Sequence, residues 1–198
     1  MARIAFWYEF ASTYSYLSAM RIEEMAREAG VAVDWRPFLL GPIFAAQGWT
    51  TSPFNLYEAK GRNMWRDMER LTAARGLGLR RPDPFPQNGL YAARLALIGA
   101  DEGWGPAFTR AVYRAEFAEG ADISDKAVLA AALRSVGLDA DALLARIAEP
   151  DVKDRLKAQT EEAQARGVFG APSFFVGDEL YWGDDRLEQA LAHARASD

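Results

Sequence analysis

The sequence concentrates hydroxyl side chains in the stretch EFASTYSYLS at residues 9–18, where of the seven residues starting at Ser12 only Leu17 lacks one. A strand-like run leads into this stretch and a helix-like run leads out of it. A serine at such a junction either caps the helix by accepting a backbone N–H or donates a hydrogen bond to a bound anion. Helical geometry points the other hydroxyls in several directions, so they cannot all face one ligand. We predict that Tyr16 packs in the core, that Ser15 bonds backbone groups of the first turn, and that no hydroxyl besides that of Ser12 is catalytic.

Residue counts exclude several kinds of chemistry. The chain has no cysteine and a single histidine, His193. Disulfides, thiol redox cycling and cysteine nucleophiles are therefore impossible, which excludes a protein-disulfide oxidoreductase. We expect His193 to be an exposed residue of a terminal helix, and we predict no metal site. The chemistry must use hydroxyls, carboxylates, Lys, Arg, backbone groups or a bound cofactor.

Length, composition and charge bound the class of protein. The 198 residues are 50% hydrophobic and carry a formal net charge of -5. Such a chain forms one globular domain or a domain with an insertion, and its acidic balance argues against a general nucleic-acid surface. We see no secretory signal and no run that approaches the about 20 apolar residues of a membrane span. We therefore expect a cytoplasmic protein that binds neither nucleic acid nor membranes.

The first 38 residues predict a strand, a helix and a second strand. RIAFWYEF at residues 3–10 is short and aromatic-rich, as a buried strand is, and VAVDWRPF at residues 31–38 alternates apolar and polar positions. A helical pattern covers residues 13–29, and Gly30 stands where a helix C-cap belongs. The two strands of such a unit are parallel, with a right-handed crossover.

The end of the chain predicts a hairpin and a last helix. PSFFV at residues 172–176 and ELYW at residues 179–182 flank a Gly-Asp turn, which is a hairpin signal. Asp184 and Asp185 then open a helix. The elements at the two ends therefore follow the order βαβ and ββα.

The middle of the chain is predicted to be helical. Residues 41–54 read as a loop and residues 80–89 as a proline-punctuated loop. We predict helices at residues 56–75, 89–102, 105–118, 125–136, 140–148 and 151–166. We predict that the last three are capped by Ser124, Asp139 and Asp151. The simplest architecture is an α/β sheet domain formed by residues 1–39 and 167–198, interrupted by an all-helical insertion at residues 40–166.

This order of elements resembles the thioredoxin fold with a DsbA-like helical insertion. The hydroxyl-rich junction falls where redox members carry their cysteine pair, and Pro172 falls where that fold has its cis-proline loop. Over essentially its whole length the chain resembles the 2-hydroxychromene-2-carboxylate isomerases and the related kappa-class glutathione transferases. The segments that carry the resemblance are FASTYSYL (10–17), FLLGPIF (38–44), AKGRNMWRDMER (59–70), FPQN (85–88) and GVFGAPSFFVGDELYWGDDRL (167–187). The chain departs from the family at Glu9, usually Asp, and at Thr13, usually Pro.

The resemblance implies a glutathione site with Ser12 as its catalytic residue. Ser12 matches the serine whose hydroxyl bonds the sulfur of glutathione, and a helix N-terminus would further favour a thiolate. Lowering a thiol pKa by two units takes about 2.7 kcal/mol of preferential stabilisation. A cis bond at Pro172 would turn the backbone of Ala171 toward the cysteinyl backbone of glutathione. The other residues that the resemblance places at glutathione are Lys60, Trp182, Gly183, Asp184 and Asp185; Trp182 has core packing as its alternative.

The same resemblance implies an aromatic substrate. Phe44, Trp49 and Phe85 lie in Gly/Pro-rich loops and are candidates for holding a flat ring. Asn88 either contacts substrate or caps a helix, and we favour the cap. Ala45 and Trp49 stand where relatives often have Lys and Asn, which leaves the particular substrate open.

The resulting hypothesis is a glutathione-dependent isomerase acting on 2-hydroxychromene-2-carboxylate or a similar aromatic-degradation intermediate. The thiolate would add to the bicyclic substrate, the ring would open and rotate about a transient single bond, and elimination would give the trans-benzylidenepyruvate. The alternatives are a kappa-type glutathione transferase or peroxidase, and a non-catalytic module that binds glutathione or a peptide. The resemblance also implies a homodimer.

Overall fold

A four-stranded mixed sheet lies at the centre of the computed structural model, which describes residues 2–197. The strands are β1 (Arg3–Tyr8), β2 (Ala32–Pro37), β3 (Ser173–Val176) and β4 (Glu179–Trp182), in the order β2-β1-β3-β4. β2 runs parallel to β1, whereas β3 is antiparallel to both β1 and β4. The predicted strands, the parallel pair and the hairpin are therefore confirmed.

β1 is the central strand, and its sequence is apolar on both faces. Ile4 and Phe6 belong to the main buried cluster, while Trp7 points the other way into a second cluster with Phe38. Phe6 also stacks on Phe174 of β3, with ring centroids 5.3 Å apart. A strand buried on both faces holds the chain that leaves its end in a fixed place. That chain is the hydroxyl-rich stretch.

The predicted single helix at residues 13–29 is wrong, because the structure has two helices there. These are α1 (Thr13–Ala19) and α2 (Ile22–Ala29), and the chain breaks between them at Arg21, whose φ is -130°. The Arg21 guanidinium pairs with Asp184 and Glu188 near the C-terminus. These contacts hold Arg21 outside the helix. The C-cap at Gly30 is confirmed, with φ of 70°.

The predicted loop at residues 41–54 is also wrong, since it contains α3 (Leu40–Ala46) and α4 (Pro53–Leu56). In α3 the side chain of Ile43 is buried in the second cluster. This packing outweighs the weak helix propensity of a Gly- and Pro-containing run. α4 begins with Pro53 as its first residue and with the Ser52 side chain accepting from the Phe54 N–H, both favourable at a helix start.

The other predicted helices are present. They are α5 (Glu58–Ala74), α6 (Leu90–Glu102), α7 (Gly105–Tyr113), α8 (Lys126–Ser135), α9 (Ala140–Arg146), α10 (Pro150–Ala165) and α11 (Leu187–Ala196). α7 continues as a π-helical turn, Arg114–Ala118, and a 3₁₀ turn at Asp184–Arg186 precedes α11. The prediction that Asp184 and Asp185 open the last helix is thus confirmed up to this extra turn.

Of the three predicted caps, only Asp139 is confirmed; it accepts from the N–H groups of Asp141 and Ala142. The Ser124 hydroxyl instead donates to Asp122 over 2.6 Å, and Asp125 caps α8. Asp151 is already inside α10, which starts at Pro150. Proline is favoured as a first helical residue because it has no N–H to satisfy.

One buried cluster joins the sheet to the inserted helices, with Phe6, Phe108 and Leu129 among its members. The division into residues 1–39, 40–166 and 167–198 stays a prediction. The expected exposure of His193 is wrong, because its ring is half-buried and lies 2.9 Å from the Tyr181 hydroxyl. Within residues 2–197 no helix combines the length and apolar character needed to cross a bilayer, and no group of acidic or histidine side chains is arranged to hold a metal.

Gly61 sets the distance between α4 and α5. A Cβ at this position would come within 2.3 Å of the Phe54 carbonyl oxygen, which is backbone and cannot rotate away. We expect Gly61→Ala to lower the free energy of unfolding by about 1–3 kcal/mol, as overpacking does, measured by urea denaturation. The matched control is Gly41→Ala in α3, where nothing lies within 4 Å. That change should be neutral or stabilising by up to about 1 kcal/mol, and equal losses in both variants would contradict the assignment.

Candidate active site

A cleft of about 1370 Å³ opens beside the end of β1, between the sheet and the inserted helices. Every residue predicted for the site lines this cleft: Ser12, Phe44, Trp49, Lys60, Phe85, Asn88, Ala171, Trp182, Gly183, Asp184 and Asp185. The structure thus brings together positions separated by more than 150 residues in the sequence. Their roles toward a ligand stay predictions.

Ser12 takes part in two hydrogen bonds. Its Oγ accepts from the Ser15 N–H over 3.2 Å, so it is the N-cap of α1. It also donates to the Ala171 carbonyl oxygen over 2.9 Å, across to the loop that carries Pro172. The Ala171–Pro172 bond is cis, as the resemblance implied. Because a hydroxyl has one proton, Ser12 can donate to a ligand only when its O–H turns away from the Ala171 oxygen.

The other hydroxyls of the stretch point to different parts of the protein, as helical geometry predicts. Thr13 donates to the Met64 sulfur over 3.3 Å, Tyr14 to the Asp67 carboxylate over 3.0 Å and Ser18 to the Asp184 carboxylate over 2.8 Å. Tyr16 is buried in the core, which confirms its prediction. Ser15 bonds the first turn through its backbone N–H, so the role predicted for its side chain is wrong. Ser12 alone combines the cleft with the cis-proline loop.

The Asp184 carboxylate is buried and hydrogen-bonded within the protein. Its side chain is buried, with 3% of the residue exposed, and accepts from Ser18, from Arg21 over 3.3 Å and from Arg75 over 2.7 Å. Three donors occupy this carboxylate, so it is not free to meet an ammonium group of a ligand. The neighbouring Asp185 is exposed and pairs only loosely with Arg186, over 3.1 Å. The acid available at this end of the cleft is therefore Asp185.

The sequence gives no sign of the two arginines around Asp184. Arg21 and Arg75 lie 163 and 109 residues away from it in the chain. Each reads as an ordinary surface arginine of a helix. Only the folded arrangement identifies them as the ion-pair partners of this buried carboxylate.

The glutathione-side candidates Lys60 and Trp182 lie at the rim of the cleft. The Lys60 ammonium sits 5.4 Å from the centre of the Tyr57 ring, a cation–π distance. Trp182 is exposed and contacts Phe169, with ring centroids 4.9 Å apart. The alternative that Trp182 packs in the core is therefore wrong. Both side chains remain accessible to a ligand.

The substrate-side aromatics form two pairs. Phe44 and Trp49 lie with ring centroids 5.5 Å apart, and Phe85 packs edge-on against Trp65 at 4.9 Å. Phe44 belongs to α3 rather than to a loop. Asn88 accepts the N–H of Leu90, the first residue of α6, over 3.0 Å, although the N-cap position itself is Gly89.

Ala45 does not belong to this part of the cleft. It is exposed on α3 and is absent from the cleft lining, which lies within the described residues. The Ala45 side chain itself does not line the cleft, and the expectation that the missing Lys at this position leaves the particular substrate open stays a prediction. Of the two departures from the family, only Trp49 reaches the cleft.

The sequence analysis did not predict that two acids, Glu9 and Glu116, are buried. Glu9 lines the cleft with only 9% of the residue exposed, and burial raises its pKa to about 8 despite a hydrogen bond from the Ala11 N–H. Glu116 is fully buried on the π-helical turn, and neither carboxylate oxygen has a hydrogen-bond partner among residues 2–197. Burial first, and the charge of Glu9 second, raise the pKa of Glu116 well above its usual range. Glu9 stands between Tyr8 and Phe10 and Glu116 between Ala115 and Phe117, and these neighbours alone do not show whether the carboxyl group is buried.

The sheet order, the cis-proline loop facing the start of α1 and the helical insertion define a thioredoxin-fold protein with serine in place of the redox pair. The chain belongs to the DSBA-like thioredoxin domain family, whose model matches residues 3–194, and within it to the group of the 2-hydroxychromene-2-carboxylate isomerases. It is 33% identical to the 2-hydroxychromene-2-carboxylate isomerase of Sphingobium xenophagum over 186 residues, which cover 93% of this chain and 94% of the relative.

Two further comparisons agree with this assignment. A solved structure of a 2-hydroxychromene-2-carboxylate isomerase matches with a TM-score of 0.87 and 25% identity, covering 98% of this chain and 95% of the other. Glutathione S-transferase kappa 1 of Homo sapiens is 26% identical over 207 residues, which cover 96% of this chain and 89% of the relative. The predicted fold and family are confirmed.

Proposed function

We propose that this protein is a glutathione-dependent isomerase of 2-hydroxychromene-2-carboxylate or of a similar intermediate in aromatic degradation. The observation that carries the proposal is the Ser12 hydroxyl, held beside the cis-proline loop inside a cleft that joins polar and aromatic walls. The full-length relationship to an isomerase supports it. In this proposal the protein is a cytoplasmic homodimer.

The groups around Ser12 fit the chemistry of glutathione. Lys60 supplies a cation for a carboxylate end of the tripeptide, and Asp185 supplies an anion for its ammonium group. The backbone of Ala171 offers a peptide edge for strand-like pairing with the cysteinyl residue. Each charged end of the ligand thereby meets the opposite charge, and the thiol falls at Ser12.

When bound, glutathione supplies the thiol nucleophile that the chain lacks, and it is released unchanged. Ser12 stabilises the sulfur as an anion by turning its O–H from the Ala171 oxygen to the thiolate, while the proton stays bonded to the Ser12 oxygen. A neutral hydrogen bond contributes about 0.5–1.5 kcal/mol and one to a charged group about 1.5–3 kcal/mol. The exchange therefore favours the thiolate by about 1 kcal/mol, which is less than one pKa unit. If a ligand N–H donates to the Ala171 oxygen in place of Ser12, the Ser12 hydrogen bond lowers the thiol pKa by the full one to two units.

The aromatic wall orients the substrate. Phe44, Trp49 and Phe85 all line the cleft, the first two as a ring pair and the third packed against Trp65. A planar bicyclic substrate between them is held by stacking, which leaves rotation of its open chain free. A kappa-type transferase is the second candidate, favoured by the relationship to the human enzyme. It differs in consuming glutathione.

Two measurements test the proposal on the whole chain. We expect calorimetry to detect glutathione binding at millimolar ligand or below. We also expect 2-hydroxychromene-2-carboxylate to change absorbance with glutathione recovered intact. S-methylglutathione is the matched control, because it fills the site but carries no free thiol and should inhibit. Absence of binding at millimolar glutathione would reject the proposal, and stoichiometric loss of glutathione would favour the transferase.

A further inference from the structure

Glu9 is a nearly buried acid that opens onto the cleft three residues before Ser12. It lines the cleft together with Ser12 and Gly89, and 9% of the residue is exposed. A Cβ at Gly89 would come within 3.4 Å of the Glu9 Oε1 and within 2.9 Å of the Phe10 Cβ. Because Gly89 has no side chain, the start of α6 packs against this carboxyl without covering its face to the cleft.

The groups that surround Glu9 carry no positive charge. From α7, Tyr113 donates its hydroxyl to the Glu9 backbone oxygen over 2.8 Å. From β1, the Tyr8 hydroxyl is paired with Thr109 over 3.0 Å. Burial raises the pKa of both phenols, which keeps them neutral.

Two further polar residues lie in this region, an acid and an amide. After burial, Glu9 is the next largest cause of the raised pKa of Glu116 on the π-helical turn, so two negative charges at these carboxyl groups disfavour each other. Gln87 is buried in the segment before α6 and lines the same cleft. Among residues 2–197 no Lys or Arg forms an ion pair with Glu9. A carboxyl group in such surroundings favours its neutral form, so Glu9 carries a proton at neutral pH.

We propose that Glu9, as a neutral carboxylic acid, donates its proton to the ketone oxygen of the substrate during isomerisation and takes it back at the end. The inference rests on the proposed function. Glu9 is placed for this role because it shares the cleft with the serine that holds the nucleophile. An acid with a pKa near the working pH is also the most effective proton donor.

The step is balanced in atoms and electrons. Ring opening of the bicyclic substrate breaks its ring C–O bond, moves the hemiketal hydroxyl proton to the phenolic oxygen and yields the conjugated ketone. As the thiolate bonds the carbon conjugated with that ketone, an electron pair moves through the conjugated chain to the ketone oxygen. The Glu9 O–H bond breaks, its proton bonds that oxygen, and Glu9 becomes a carboxylate. The former double bond is then single and rotates. Glu9 next removes the same proton, the electron pair returns to restore the double bond, and the bond to the nucleophile breaks.

We expect Glu9→Gln to lower kcat by about 100-fold or more, because the amide matches the acid in size and neutrality but has no proton to transfer. KM and glutathione affinity should stay within about threefold, since the binding groups are untouched. Glu9→Asp, which keeps a carboxylic acid, should recover at least about tenfold of the loss. The control is Glu116→Gln. Glu116 is also a buried acid but does not line the cleft, so this variant should leave kcat within about threefold.

The pH dependence follows from the protonation state. Wild-type activity should rise with ionisation of the thiol and fall as the pH rises through about 8, where Glu9 loses its proton. Infrared difference spectra provide a readout independent of turnover. A protonated-carboxyl band of Glu9 should disappear near pH 8 in the wild type and in Glu116→Gln, whereas in Glu9→Gln only the Glu116 band should remain and no band should disappear near pH 8.

The outcomes separate this inference from the proposed function. An active wild type with an equally active Glu9→Gln variant, or a Glu9 carboxyl already ionised below pH 6, would overturn the inference alone. A wild type without isomerase activity would reject the proposed function and the inference together. Loss of activity in Glu9→Gln with the infrared band intact in Glu116→Gln supports the inference.

Discussion

Asp184→Ala should lower the free energy of unfolding by about 3–5 kcal/mol, because it leaves the partly buried Arg75 guanidinium without an anion and Arg21 with Glu188 alone. Arg21 approaches the carboxylate over 3.3 Å and Arg75 over 2.7 Å, and Arg21 also donates to the Asp184 backbone oxygen over 2.6 Å. Arg75 ends α5 of the inserted segment, whereas Arg21 joins α1 to α2 beside the sheet. The carboxylate therefore ties three distant parts of the chain together.

Urea denaturation measures this loss, and the neighbouring acid supplies the control. Asp185 is exposed and, among residues 2–197, forms an ion pair with Arg186 alone, so Asp185→Ala should change stability by at most about 1 kcal/mol. Asp184→Asn should fall between the two, because the amide oxygen still accepts from Ser18 but no longer neutralises the arginines. A loss below about 1 kcal/mol in Asp184→Ala would show that water or another acid replaces the carboxylate.

The sheet and the cis-proline loop could be predicted because their signals are local or carried by resemblance. β1 and β3 are short aromatic-rich runs, and Gly177 marks the turn between β3 and β4. The break at Arg21 has no local signal, and the contacts that Arg21 makes there reach a carboxylate 163 residues away. Helical periodicity continues through residues 13–29, so a purely local argument joins α1 to α2.

Which residues line the candidate site could be predicted from the sequence, but the burial, pairing and protonation of their side chains could not. Asp184 reads as an acid at a helix start, and only its three donors show that it is occupied. Glu9 reads as a polar residue after a strand, and its burial depends on Tyr113 and Gly89 from elsewhere in the chain. Composition predicts which residue types are present, whereas desolvation and pairing depend on the assembled fold.

The geometry at Ser12 also changes the expected source of thiolate stabilisation. α1 has only seven residues, so its dipole is a smaller contribution than a continuous helix over residues 13–29 would give. The hydroxyl therefore has to provide most of the effect. Before a ligand binds, the Ser12 hydroxyl donates to the Ala171 oxygen. The stabilisation of the thiolate therefore depends on whether the ligand supplies another donor to that oxygen.

We accordingly expect Ser12→Ala to lower kcat/KM by about 10- to 100-fold, which corresponds to a lost hydrogen bond to a charged group of about 1.5–3 kcal/mol. The pKa of bound glutathione should rise by about one unit or more, measured from the ultraviolet absorbance of the thiolate. The substitution also removes an N-cap, which costs about 1 kcal/mol of stability.

Two controls separate activation from capping. Ser12→Thr keeps the hydroxyl and should retain most of the thiolate signal, while Ser12→Gly keeps most of the capping stability and should lose the signal. Asp139→Ala removes an equivalent cap from α9, far from the cleft, and should lower stability without changing the thiol pKa. If Ser12→Ala and Ser12→Gly keep the wild-type thiol pKa, Ser12 is a structural cap only. The thiolate would then have to be stabilised by backbone N–H groups at the start of α1.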